Sequence, residues 1–149
     1  EFFEQIFLSE GNKKKSIKME ITSKGRYAVR VMIELAQNEN FISISEISKH
    51  QGISVKYLEK IISQLHKANL VTSTKGLNGG YKLNKKPSQI SIKEILDATD
   101  NKIEVAPCLE NKDCPRIQNC TTVDVWQNLN NLIIDYLQKT TLDTLINTK

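Results

Sequence analysis

Between Ser43 and Asn84 the sequence reads SISEISKHQGISVKYLEKIISQLHKANLVTSTKGLNGGYKLN, which places a short helix, a glycine turn, a longer helix and a hairpin in immediate succession. Ser43 and Glu46 stand at capping-box spacing, Ile44 and Ile47 make a short apolar stripe, and Gly52 stops the helix after barely two turns. After Ile53, Ser54 can cap the segment 55–70. There Leu58, Ile61, Ile62 and Leu65 face one way, while Lys56, Tyr57, Lys60 and Lys67 lie outside or at the edge. LVTSTKG is β-rich, LNGG is a turn and YKLN a second strand, so a hairpin carrying Lys75 and Lys82 follows the helix pair at once. A helix pair alone would fit a plain helical hairpin. With the basic hairpin attached it fits a winged helix-turn-helix, whose second helix enters the DNA major groove.

The flanking segments complete a mainly α fold with one small β-hairpin. TSKGRYAVRVMIELAQ (22–37) sets Tyr27, Val31, Ile33, Leu35 and Ala36 at near-helical spacing behind Thr22 or Ser23 as cap, with Arg26 and Arg30 on the polar face. SIKEILDATD (91–100) repeats the capping box with Ser91 and Glu94, and its Ile92, Ile95 and Leu96 predict a fourth helix packed on the first three. Residues 107–120 hold two prolines and no period, and are expected to form a loop. From Thr121 a long helix is expected, with Trp126, Leu129, Ile133, Tyr136 and Leu137 on its apolar face. One winged helix covers one DNA half-site, so this helix is expected to make a homodimer, against the alternative of packing within the chain. TLDTLI (141–146) should dock as a terminal turn or helix. The resulting organisation is a leader at 1–18, a DNA-binding head at 19–100, a cysteine loop at 101–120, and a dimerisation helix with a C-terminal segment at 121–149. Within the leader, Phe2, Phe3, Ile6 and Phe7 offer a rival reading as a short amphipathic helix.

Charge divides the chain in the same place. Residues 19–86 carry 11 Lys/Arg against 5 Asp/Glu, whereas residues 87–149 carry 6 against 9. A basic half joined to an acidic one predicts that the first faces a polyanion and the second something else. No apolar run is long enough to cross a bilayer, which argues against a membrane partner. An odd cysteine count without a secretory signal points to a reducing compartment, the cytoplasm.

All three cysteines, Cys108, Cys114 and Cys120, lie in PCLENKDCPRIQNC, with five residues between each and the next. Structural zinc draws on tighter pairs, two to four residues apart, so this spacing does not favour zinc. Iron–sulfur clusters accept wider gaps and in their commonest form need four ligands, leaving a fourth to come from elsewhere. A thiol switch also stays open. A thiol oxidoreductase or cluster-transfer protein is disfavoured, because there is no Cys-x-x-Cys, phosphate loop or nucleophile–base pair.

The stretches MEITSKGRYAVRVMIELA, ISEISKHQGISVKYLEKIISQLHKANLVTSTKGLNGGYKL and CLENKDCPRIQNC resemble, in that order, successive signatures of the Rrf-two family of bacterial regulators. The likeness runs from Met19 to about Ile146. It implies a homodimeric winged-helix transcription factor that binds double-stranded operator DNA and carries an iron–sulfur cluster, two-iron (2Fe–2S) in preference to four-iron. It further implies cluster ligation by Cys108, Cys114 and Cys120, and DNA contacts from Lys56, Tyr57, Glu59 and Lys75; Arg26, Ser43, Ser54, Lys60 and Asn78 are expected to contact DNA as well. Lys75 matches a wing arginine that enters the minor groove, and Glu59 could accept a hydrogen bond from cytosine. The fourth ligand departs from the family pattern. One branch has a ligating histidine where this chain has Val123, and another takes a carboxylate from the partner's first helix where this chain has Arg26. Asp124, His50 or an exogenous small thiol are the alternatives. His66 is read as a surface or DNA-facing residue. The competing functional reading is a cluster-free regulator of cysteine or sulfur metabolism, acting by thiol oxidation or through a partner protein.

Overall fold

The computed structural model describes residues 20–99, 102–111 and 114–148. The expected leader at 1–18, with its rival helix, lies outside the described residues. Thr22 caps α1 (Ser23–Ala36) by accepting from the Gly25 N–H at 3.1 Å. Ser43 and Glu46 close a full capping box on α2 (Ile44–Gln51), and Ser54 accepts from the Tyr57 N–H at the start of α3 (Val55–Lys67). Each cap satisfies an N–H that a helix start otherwise leaves without a partner. Between α2 and α3 stands Gly52 at φ 65°, ψ 33°, the left-handed geometry that glycine adopts without steric cost. At the far end of α3, Asn69 takes the left-handed position at φ 58°, and Leu70 turns inward to begin the hairpin.

The strands β1 (Val71–Thr74) and β2 (Gly80–Leu83) pair antiparallel, with Val71 opposite Leu83 and Thr74 opposite Gly80. Ile42, just ahead of α2, adds a bridge to Tyr81 through N–H···O bonds of 3.0 and 2.8 Å, stitching the hairpin to the helix pair. That bridge requires glycine at 80, because a Cβ there would stand 2.2 Å from the Ile42 carbonyl oxygen. After a 3-10 turn at Pro87–Gln89 comes α4 (Ile92–Ala98), capped by the Ser91–Glu94 box. Leu58, Ile61, Ile62 and Leu65 are all buried, in one cluster with Ala28, Val31, Met32 and Leu35 of α1 and Ile92, Ile95 and Leu96 of α4.

Two features of the second half differ from the expectation. Residues 107–120 are not all loop: α5 (Pro107–Asn111) opens them, with proline in the first helical position where its missing N–H is no loss, and a 3-10 turn occupies Ile117–Asn119. The long helix α6 (Val123–Lys139) starts at Val123 and not at Thr121, since Thr122 is its N-cap. It packs within the chain against α4, with Leu137 buried, while Trp126, Leu129, Leu132 and Tyr136 remain exposed. The terminal α7 (Leu142–Ile146) docks as expected: Ile92 donates to the Thr140 carbonyl and Leu142 to that of Ile90, and Leu142 is fully buried. Among the described residues, no helix is long and apolar enough to cross a membrane.

Substituting Gly80→Ala should force the Ile42 bridge apart and lower stability by about 1–3 kcal/mol, read by thermal melting. Burial pushes the Glu94 carboxyl up, but hydrogen bonds from the Ser91 backbone and from Lys85 outweigh it, holding the group below its ordinary 4.5. Because the folded value is depressed, the Glu94 contribution is fully present above pH 4.5 and is lost as pH falls below it. Glu94→Gln should therefore flatten the acid limb of the melting profile.

Candidate nucleic-acid interface and cysteine segment

The burial of one side of α3 dictates what its other side offers. Lys56, Glu59, Lys60 and Lys67 all stand exposed opposite the buried stripe. Tyr57 differs: it is half-buried and meets Tyr27 of α1 edge-on, with centroids 6.1 Å apart at 86°. Ser43 and Ser54 sit at the N-termini of α2 and α3, where backbone N–H groups and the helix dipole favour an anion such as phosphate. The Ser43 hydroxyl is engaged locally, donating to Glu46 Oε2 at 2.8 Å. That bond, followed by the one from the Ser43 backbone, holds the Glu46 carboxyl below its ordinary value.

The wing presents exposed Lys75 just past β1 and half-buried Lys82 on β2, whose ammonium lies 5.9 Å from the Phe41 ring centroid. Ser43 and Asn78 come together on the lining of one open cleft of about 760 Å³ between the start of α2 and the wing tip. Arg26, on α1, is exposed and donates to its neighbour Ser23. Sequence reasoning did not single out Glu34, a buried carboxylate on α1. Charge at an apolar-face position was its only sequence signal, and its partners lie on α2.

The cysteine segment is fastened to α6 at both ends. At its near end, Val105 donates its N–H to Asn130 Oδ1 at 3.3 Å, and Asn130 is a buried amide within the long helix. At its far end, Cys120 Sγ lies 3.4 Å from the Thr122 hydroxyl, immediately before the first turn of α6. The Thr122 side chain first, then the Thr122 and Val123 backbone N–H groups, hold the Cys120 thiol below its ordinary 9.0. All three thiols are free and half-buried. Three soft thiolates suit an iron–sulfur centre in kind, with the exposed carboxylate of Asp124 in the first turn of α6 as a further donor. Among the described residues they are not gathered: no group of three or more His, Cys, Asp or Glu side chains stands close enough to hold a metal ion. His50 is placed at the end of α2, its Nδ1 2.7 Å from the Glu34 carboxylate.

A helix-turn-helix with a docked basic hairpin defines a winged-helix regulator. The family described as Rrf2, iron-dependent transcriptional regulator, matches residues 21–148. The chain is 38% identical over 133 residues to the HTH-type transcriptional regulator IscR of Pectobacterium atrosepticum, covering 88% of this chain and 81% of the relative. Among solved structures it is similar to CymR, the global cysteine regulator of B. subtilis, at a TM-score of 0.74 and 30% identity, over 89% of this chain and 99% of that one. It is similar also to T. potens IscR, at a TM-score of 0.68 and 30% identity, over 86% of each chain. The chain belongs to the Rrf2 family of transcriptional regulators.

In the metal-free protein, the pH midpoint for alkylation of Cys120 should lie below 9.0, and Thr122→Ala should move it back towards that value, as read by mass spectrometry of the labelled peptide.

Proposed function

We propose that this regulator binds operator DNA as a homodimer and reports iron–sulfur status through a cluster held by Cys108, Cys114 and Cys120, two-iron in preference to four-iron. The observation that carries the DNA reading is the exposed cationic side of α3 beside the lysines of the wing. Lys56 and Tyr57 reach base edges, Lys60 neutralises phosphate, Glu59 accepts from cytosine, and Lys75 follows the backbone into the minor groove. Ser43 and Ser54 present helix N-termini to phosphate, with Arg26 and Asn78 at the margins of the contact. Lysine at 75 lacks the planar fork of an arginine, so its contribution is charge more than geometry. Such a protein works where its DNA is, in the cytoplasm.

Dimerisation falls to α6. Trp126 and Leu129 are each 39% exposed and Tyr136 68%, an apolar row that a second copy would cover. Ile133, half-buried against the head, lines a groove of about 400 Å³ with Leu132 and Tyr136 that would receive the partner's side chains.

A bound cluster supplies a centre whose presence depends on iron, sulfide and oxidants. The chain's own part is to deliver thiolates: hydrogen bonds from Thr122 and Val123 favour the ionised form of Cys120, and the tie from Asn130 to Val105 brings the segment's near end onto α6. Asp124, one residue beyond Val123, is the fourth donor in this reading. A second reading, regulation of cysteine or sulfur metabolism without a cluster, is favoured by the likeness to the global cysteine regulator and by thiols that are not gathered.

Anaerobic purification separates the two readings. A brown protein with visible absorbance and bound iron, lost in Cys114→Ala and reduced in Asp124→Ala, supports the cluster; a colourless, iron-free protein with full DNA affinity supports the second reading. For the DNA contact, fluorescence anisotropy with a duplex selected by the protein from a random-sequence pool should show affinity falling linearly in log–log form with salt. Lys75→Ala should reduce that slope by roughly 1. Affinity without salt dependence would overturn the reading.

A further inference from the structure

One stripe of α1 grips both helices of the helix-turn-helix. Arg30 and Glu34 lie four residues apart, one helical turn, and between them they hold the last two residues of α2, Arg30 reaching Gln51 and Glu34 reaching both His50 and Gln51. Arg30 donates from Nε to Gln51 Oε1 at 3.0 Å and from Nη2 to the Gln51 carbonyl oxygen at 2.8 Å. The second bond satisfies a carbonyl that the helix end leaves open, with the positive charge at the negative end of the dipole. Glu34, only 8% exposed, accepts from Gln51 Nε2 at 2.5 Å and from His50 Nδ1 at 2.7 Å. A carboxylate only accepts, so His50 turns a protonated Nδ1 towards it.

Gln51 directly precedes Gly52, whose left-handed backbone sets the angle between α2 and α3. The same guanidinium lies 5.5 Å from the centroid of Tyr27, and Tyr27 stands edge-on to Tyr57 in the first turn of α3. A carboxylate removed from water adds little net stability over a well-packed apolar side chain. What a directional network adds is one preferred arrangement of the parts it joins.

We propose that Glu34 and Arg30 are positioning residues for DNA recognition: by clamping Gln51 and backing Tyr27 they fix the pose of α3, and with it the register of Lys56, Tyr57 and Glu59 on the bases. The proposal rests on α3 being the recognition helix. Neither Glu34 nor Arg30 touches DNA in this account, so their loss changes which sequence is preferred and leaves the phosphate contacts in place.

The test uses the full chain and two duplexes, the pool-selected one and a scrambled one of equal length, with anisotropy titrations over a range of salt. Glu34→Gln and Arg30→Lys should each lower the selected-to-scrambled affinity ratio by roughly 3- to 30-fold, with the salt slope unchanged. Arg30 is exposed, so Arg30→Lys tests the clamp with the core untouched, and it should retain more selectivity than Arg30→Ala because it keeps the charge while losing the fork. In a double-mutant cycle, Arg30→Ala and Lys56→Ala should be non-additive in the ratio, an outcome that uniform destabilisation would not produce. An unchanged ratio in both Glu34→Gln and Arg30→Lys, beside a reduced ratio in Lys56→Ala, overturns the positioning role alone. An unchanged ratio in Lys56→Ala overturns the recognition-helix reading and this proposal with it.

Discussion

The burial of Leu58, Ile61, Ile62 and Leu65 in one cluster with Ala28, Val31, Met32 and Leu35 governs what the rest of the molecule can do. Each of the leucine, isoleucine, valine and methionine side chains contributes on the order of 1.5–3 kcal/mol when taken fully out of water, so rotating α3 by even a quarter turn would forfeit most of that stabilisation. The cationic side of α3 therefore points outward for the same reason that the apolar side points inward. The hairpin is held by the same logic, since Leu70 and Val71 are buried at its root and the Ile42 bridge fixes it from the other side.

Much of this head could be read from its residues because the signals are local. Capping boxes at Ser43–Glu46 and Ser91–Glu94 span four residues, a left-handed Gly52 needs no partner, and the 58/61/62/65 stripe is a property of one helix. What escaped the sequence depends on distant partners. Glu34 looks like a surface charge until α2 folds over it, and Asn130 resembles a helix-surface amide until Val105 arrives to meet its side chain. The helical turn at Pro107–Asn111 is too short to show a period.

The two halves treat polar groups differently. In the head, buried polarity joins helix to helix through Glu34, and closes the end of α4 through Thr99, whose hydroxyl shares its proton between the Ile95 and Leu96 carbonyls. In the second half it joins a helix to a non-helical segment, and the apolar side chains of α6 are divided between a buried share at Leu137 and an exposed share at Trp126, Leu129 and Tyr136. Among the described residues, no segment of this chain covers that exposed share.

The double attachment of the cysteine segment bears on how much order remains to be imposed on it. Asn130 and Val123 lie seven residues apart on one rigid helix, about 10 Å of rise, and the chain from Val105 to Val123 must start and finish within that span. Closing an 18-residue ring costs conformational entropy that grows only slowly with its length, and here folding has already met that cost before any thiol finds a partner. A ligand drawing the sulfurs together would work against the residual freedom inside a closed ring, and would pull on the helix that carries the exposed apolar row.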